Sequence, residues 1–529
     1  MISTPVLQRS ASPFADFLML NYKAPGIYIE ELNLLPSRIA AVPTAVPAFI
    51  GYTARATQNG RSLHLRLTRI NSFAEFQSLF GKLGSDRLTP APDSAQINAR
   101  FTLVPGSGTA DFTFAGRPWD LKADGSSLSY FYSSLKLFYA NGGGACYIVS
   151  VGRLGTTSTD TDSQTNPHLK LDSLLAGLRA LAAEIEPTLV VVPDATLLTT
   201  ADNALLNQAT LQHCANTRSR IALFDVRGAD APDASMWTNS LATFRNGLGD
   251  TGLDYGAAYY PFLRTTILQA NDVTAKMIGA RVLRRVLPNA AANPLKSILT
   301  EIERRPTSDR PGLAQLDADL RVVSPAYAQI HERLLERVNT LPPSSAIAGV
   351  INTVDSSGVW KAPANVALHS VCGLTFMVKD HQQAELNVDP LTGKSINAIR
   401  VFPGKGMLVW GARTLDGHSN EWRYLSVRRT TIMIGQSIKR ALQPFAFETN
   451  SAATWTRIRS MVENFLNQLW RQGALIGTKP EQAYLVRIGQ GVTMSEQDVS
   501  DGVLKLSVML ALLRPGEFHV LTFQQKQGA

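Results

Sequence analysis

The sequence predicts a multidomain chain of α/β and α+β character, on three observations. Between Ser126 and Gly228, helical and strand-like runs alternate three times, the rhythm of an α/β layer. From Ile267 to Thr340 the chain becomes rich in Arg and Glu and keeps helical spacing, as at Tyr327, Ile330, Leu334 and Val338. The last third mixes both patterns, and 529 residues are enough for about two to four hydrophobic cores.

In chain order, APGIYIEEL (residues 24–32) alternates Ile27 and Ile29 against Tyr28 and Glu30 after a Pro-Gly turn, so a strand is expected at the front. AVPTAVPAFIGYT (41–53) has buried-strand character and opens a new domain. FAEFQSLFG (73–81) predicts a short amphipathic helix stopped by Gly81. Residues 85–125 turn to Pro, Gly, Asp and Ser, with FTLV and DFTFAG on either side of PGSG, which suggests a hairpin-bearing insertion or a surface loop. The α/β layer follows: the strands ACYIVSVG, PTLVVVPD and RIALFDVRG each come after a helix and are nearly continuous apolar runs, as suits strands covered on both faces. GTTSTDTDSQTNP (155–167) between them has the makings of a mobile loop.

Residues 264–340 predict a helical insertion. In the last third a helix is expected from about Ala452 to Gln472, on Trp455, Ile458, Val462, Phe465 and Leu469, with Asn450 or Ser451 as cap and Gly473 as stop. Its other face carries Arg457, Asn464, Gln468 and Arg471, either solvated or a docking face for an acidic partner. PGEFHVLTF (515–523) alternates Phe518 and Val520 against His519 and Leu521, a second terminal strand. Terminal strands must pair somewhere, because buried backbone groups cannot stay unbonded. Both patterns suit strands that complete the chain's own sheet, with donation to a neighbouring chain as the other reading.

With 45% hydrophobic and 18% charged residues the chain reads as folded protein rather than a disordered tail. The densest apolar run, VMLALL (508–513), is far shorter than a membrane helix requires, so no membrane insertion is expected. Residues 14–20 lack the flanks of a signal peptide, which implies synthesis in the cytoplasm. Cys146, Cys214 and Cys372 are odd in number and far apart, suggesting neither disulfides nor a metal site. The formal charge of +9 favours an acidic partner, and the absence of a Lys/Arg block argues against direct nucleic-acid binding.

Catalytic patterns fail in detail. His331-Glu332 is followed by Leu335 where a metalloprotease needs a second His, and no G-x-S-x-G elbow occurs. Gly142-Gly143-Gly144 precedes a strand, the wrong order for a phosphate cradle, and Gly404-Lys405-Gly406 lacks the rest of a P-loop. Asp194 and Asp225 lie at strand ends, where helix-capping or turn roles outweigh catalysis without a convergent partner. The expectation is a non-enzyme with no cofactor and no metal.

The run LPPSSAIAGVINTVDSSGVWKAPANVAL (341–368) resembles the tail sheath proteins of contractile phages and injection systems, with their "PPSGAVAG" and "GVWKAPAN". EWRYLSVRRTTIMIGQSIKRAL and FAFETNSAATWTRIRSMVENFLNQLWRQGALIG (within 421–477) are similar to the family's "VRR…SI" strand and helix and its "FEPN…LW…FL…LW…GAL.G". APGIYIEEL, VPTAVPAFIGYT, NGGGACYIVSVG and RPGEFHVLTF resemble "PGVYVEE", "V.TSVAAFIGYT", "NGG..CYVVRV" and "APAEF", in the family's order. Residues 85–125 and 264–340 show no such motifs, and Pro515-Gly516 stands where the family usually has Pro-Ala.

The resemblance implies a structural subunit that polymerises around an inner tube and contracts to drive it into a target. It implies an amino-terminal arm (1–37) with a donated strand and an outer α/β domain (38–263). After the helical insertion would come a tube-proximal, mixed-sheet core domain (341–529) completed by terminal strands. Strand exchange would involve Gly26, Ile27, Tyr28, Ile29, Glu30, Phe518, His519, Val520, Leu521 and Thr522, and tube contact Lys439, Arg440, Arg457 and Arg471. The implied partners are further copies in stacked hexameric rings or a six-start helix, an inner tube protein, and baseplate and tail-terminator proteins. Assembly would occur in the bacterial cytoplasm, in a virion or a phage tail-like particle that can be released from the cell. Rival readings are a low-copy or baseplate-proximal paralogue of the same machine, and an α/β enzyme.

Overall fold

The computed structural model describes residues 39–81, 101–106, 110–114, 116–123, 128–153, 169–230, 234–306 and 309–517. The amino-terminal strand segment, the carboxy-terminal one from Phe518 onward and the loop at 155–167 lie outside them.

The frame is a nine-stranded sheet. Its order is Val366–Ala367, Gly406–Val409, Asn397–Phe402, Gly256–Tyr260, Ile221–Asp225, Leu189–Val191, Pro47–Thr53, Cys146–Arg153 and Thr68–Ile70. The six strands from Asn397–Phe402 to Cys146–Arg153 run parallel, and antiparallel pairs close both ends. The three strands expected from the helix-strand rhythm are all present, and their apolar runs are buried because helices cover both faces. Helix Phe73–Phe80 begins at Ser72, whose side chain accepts the Glu75 N–H, and stops at Gly81 with φ +89°. The sheet and its core continue past residue 341: helix Ser344–Asp355 and strands 366–409 pack in the same apolar cluster as Phe49 and Val190.

The two stretches without recognisable motifs form one body. Strands Phe101–Pro105 and Phe112–Phe114 do not pair with each other, as FTLV and DFTFAG flanking PGSG had suggested; both pair with Arg117–Ala123, which lies between them. The tight turn falls after Phe114, where Gly116 supplies φ +73°. Phe101, Leu103, Phe112, Phe114 and Leu121 share a core with Leu283, Leu299, Leu320, Tyr327 and Leu334 of helices Ala280–Val286 to Pro325–Val338. Arg333 bridges to Asp111 at 2.9 Å. At the centre Asp317, 1% exposed, accepts the Ala275 N–H (2.9 Å) and the Tyr327 hydroxyl, with His331 and Arg321 each 3.3 Å from its other oxygen. The helical segment enters through Leu263–Thr265 and leaves through Thr340–Leu341, and these strands pair side by side, Arg264 opposite Thr340.

A third core holds the carboxy-terminal body: Met433, Ile438, Ile458, Val462, Phe465, Leu469 and Val486. The run from Leu425 to Leu442 is a single helix, not the strand-then-helix of the family pattern. Its first turn is buried in the main core at Leu425, and Met433, Ile434 and Ile438 enter the third core, so it bridges the two. Helix Ala452–Arg471 ends at Gly473 (φ +82°) as expected; Ser451 occupies its N-cap position but makes no side-chain cap bond.

Candidate assembly surfaces

Beside helix Ala452–Arg471 lies an isolated two-stranded sheet, Tyr484–Arg487 against Ser507–Leu510, antiparallel with Leu485 opposite Met509. One face, Tyr484, Val486, Val508 and Leu510, packs in the third core. The other exposes Leu485 (41%) and Met509 (51%). Among the described residues neither outer edge pairs with another strand. Two strands of four residues are marginal alone, and their free N–H and C=O groups form a template for an added strand.

The expected strand-exchange residues lie outside the described residues. The basic residues are described and divide into two groups. Arg457 and Arg471 are exposed on helix Ala452–Arg471, about 21 Å apart along one face at the ordinary helical rise. Arg457 is tied to Glu448 and lies over the Phe445 ring (5.6 Å), which fixes its guanidinium. Lys439 and Arg440 are exposed at the end of helix Leu425–Leu442 and line a cleft of about 460 Å³ that also presents Thr44, Glu184 and Glu186. Lys439, Arg440 and Arg471 make no ion pair among the described residues.

Three other arginines were not singled out in the sequence, and they join the bodies together. Arg429 (3% exposed) donates to Asp355 (Nη1–Oδ1 2.9 Å) and to the Thr44 carbonyl (2.9 Å). Arg428 pairs with Asp254 at 2.8 Å between the rings of Tyr255 (3.8 Å) and Trp422 (4.4 Å). Arg413 pairs with Glu517.

Asp194 and Asp225, the strand-end carboxylates, each cap a helix of another segment. Asp194 accepts the Tyr130 N–H (2.6 Å) and the Ser129 hydroxyl (3.0 Å) at the start of helix Phe131–Ala140. Asp225 accepts the Ser344 N–H (2.8 Å) and hydroxyl at the start of helix Ser344–Asp355, where Pro343 at the N-cap offers no side-chain acceptor. Among the described residues no cluster of His, Cys, Asp or Glu could hold a metal, and no helix is long and apolar enough to cross a membrane.

Burial pushes Asp194 up to about 6 and Asp225 up to about 7 from an ordinary 3.8, the hydrogen bonds offsetting only part of it. Each carboxyl therefore holds its proton more tightly folded than unfolded, so its contribution to stability is whole below about pH 4 and is lost as the pH rises to about 7. Between pH 5 and pH 8 the melting temperature should fall, and Asp225→Asn should flatten that fall. Equal slopes in the two chains would contradict the assignment.

The family description "phage tail sheath C-terminal domain" matches residues 418–517. The chain is 23% identical over 155 residues to the tail sheath protein of Vibrio phage KVP40, covering 29% of this chain and 23% of that one. It is 23% identical over 154 residues to the tail sheath protein of Salmonella phage ViI, covering 29% and 24%. It thus spans about a quarter of the length of the curated relatives it matches. Among solved structures, the anti-feeding prophage helical sheath in its contracted state is 27% identical, with TM-score 0.56 over 96% of this chain and 100% of that one. The PVC sheath complex of an extracellular contractile injection system, also contracted, is 26% identical with TM-score 0.56, over 96% and 99%. The 4% outside these matches is smaller than either stretch that lacks recognisable motifs, so each falls at least in part within the span of the solved sheath chains. Motifs in family order, a match to the sheath C-terminal model near the end of the chain and a fold shared over almost all of it make this chain similar to the contractile tail sheath proteins.

Proposed function

We propose that the chain is the structural subunit of a contractile sheath, polymerising around an inner tube and shortening to drive that tube forward. The observation that carries this reading is the two-stranded sheet at 484–510, with neither edge paired to another strand among the described residues and an apolar face exposed there, in a chain whose two ends each bear a strand-patterned segment. The segments around Gly26–Glu30 and Phe518–Thr522 have the length and sequence alternation to fill such edges in neighbouring copies. Backbone hydrogen bonds contribute about 0.5–1.5 kcal/mol each, so a donated strand can hold neighbours together while other contacts are exchanged. Contraction then needs no nucleotide, since two discrete packings of the same subunits store the free energy. A difference of about 5.5 kcal/mol per independent unit already makes the change nearly complete.

For the tube, the contact surface includes the exposed Arg457 and Arg471. They lie along one helix face, and an acidic partner would bind there by screened, reversible attraction. Lys439 and Arg440, which make no ion pair among the described residues, border a cleft lined also by Glu184, Glu186, Arg220 and Arg429.

Purified chain viewed by negative-stain microscopy is expected to form hollow striated cylinders, and a chain lacking residues 1–32 to remain folded but monomeric. Cylinders from the truncated chain would remove the amino-terminal strand as a required link. A full-length chain that stays monomeric with and without a tube would remove the sheath reading. A low-copy or baseplate-proximal paralogue would instead appear in a few copies per particle.

A further inference from the structure

We propose that Arg413 and Glu517 form a clamp at the root of the carboxy-terminal arm, fixing it to the nine-stranded sheet so that a pull on the arm reaches that sheet without unzipping the two-stranded one. The inference rests on the strand-donating reading above.

After Leu510 the chain leaves the two-stranded sheet, and Leu512 makes one further bridge to Leu475. By residue 517 it has reached the main body. There Arg413 Nε donates to Glu517 Oε1 (3.0 Å) and Oε2 (3.2 Å), and Nη2 donates to Oε2. Arg413 is only 6% exposed and Glu517 20%. The clamp's seat is rigid, because the Arg413 N–H donates to Asn397 Oδ1 (2.7 Å) and Asn397 Nδ2 returns a bond to the Arg413 carbonyl (2.8 Å). Asn397 begins the sheet strand Asn397–Phe402 and is itself buried.

The position of the pair decides what it does. Strand Ser507–Leu510 is held by only four register pairs, and tension entering at its carboxy-terminal end would first break the backbone bonds of residues 511–513 to Ala474, Ile476 and Ala483 and then open the pairs one at a time from Leu510. With Glu517 held, tension arriving from residues beyond 517 meets a two-pronged, charge-assisted contact first, and the four pairs are not loaded. The guanidinium fork suits this task, since it binds both carboxylate oxygens at once and a lysine cannot. During sliding of one subunit past another, neighbours joined by arms would pull on this point. The clamp makes the nine-stranded sheet the anchor.

The test compares the full-length chain, Glu517→Gln, and the double variant Arg413→Met with Glu517→Gln. The single variant leaves a buried guanidinium short of its partner and can lower stability on its own account. The double variant removes both charges at similar volume and should keep the wild-type melting temperature. Cylinders formed from each chain are diluted and their loss is followed by light scattering and microscopy. Dissociation at least tenfold faster for the double variant, at unchanged melting temperature, supports the clamp. Equal rates in the double variant and the unmodified chain overturn it and leave the sheath reading standing. Failure of the unmodified chain to form cylinders, with or without a tube, overturns that reading and the clamp with it.

Discussion

Arg429→Ala is expected to destabilise the chain by about 3–5 kcal/mol, because it leaves a buried carboxylate without its cation. Asp355 is 6% exposed and ends helix Ser344–Asp355; Arg429 reaches it from the bridging helix while also bonding the Thr44 carbonyl, and the Thr44 hydroxyl donates to Asp355. Three segments distant in sequence therefore meet on one ion pair. The cleft lined by Thr44 and Arg429 would admit water to the exposed carboxylate, which sets the effect toward the lower end of that range. Arg429→Met combined with Asp355→Leu, by contrast, should recover most of the loss, since replacing both members of a buried pair with apolar groups is often neutral. Urea unfolding followed by far-UV circular dichroism reads both. A shift in the first variant worth less than about 1 kcal/mol would mean that Thr44 and water satisfy Asp355 unaided.

That pair also marks the boundary of what was legible. The strands at 146–153, 189–191 and 221–225 could be read because each is an apolar run bounded by turns, a pattern that local chemistry produces by itself. The helix at 452–471 could be read from its period, and with it the exposure of Arg457 and Arg471. Arg428 and Arg429 could not. Their partners, Asp254 and Asp355, lie far away in sequence, and nothing local distinguishes a buried arginine from a solvated one. The same segment is rich in β-branched residues, Val427, Thr430, Thr431, Ile432 and Ile434, which favour a strand by propensity. Packing on two cores makes it helical. The assembly surface is also hidden in the sequence: VMLALL reads as an apolar run, yet the pairing of its first residues with Tyr484–Arg487 depends on the core shared with helix Ala452–Arg471. The division of acidic and basic groups around Lys439 was equally invisible, because Glu184 and Glu186 reach that cleft only through the fold.

The shared core of the two stretches at 101–123 and 264–340 predicts that neither survives alone. Excising residues 267–338, with an Asn-Gly turn joining the adjacent strands Leu263–Thr265 and Thr340–Leu341, should leave the nine-stranded sheet intact, since the cut ends already lie side by side. It would, however, strip the cover from Phe101, Leu103, Phe112, Phe114 and Leu121, each at most 7% exposed. At about 1.5–3 kcal/mol per buried side chain, those five account for about 10 kcal/mol, comparable with the whole net stability of an ordinary domain. The three-stranded piece should therefore unfold and drive aggregation. Removing it as well, by replacing residues 82–127 with a short flexible linker, should restore a soluble chain whose main-sheet unfolding midpoint lies within a few degrees of the original. Size-exclusion chromatography and dye binding to exposed apolar surface separate the two excised chains. A soluble, dye-silent chain after the single excision would show that the three strands hold their own core, and the two stretches would then be independent decorations rather than one body.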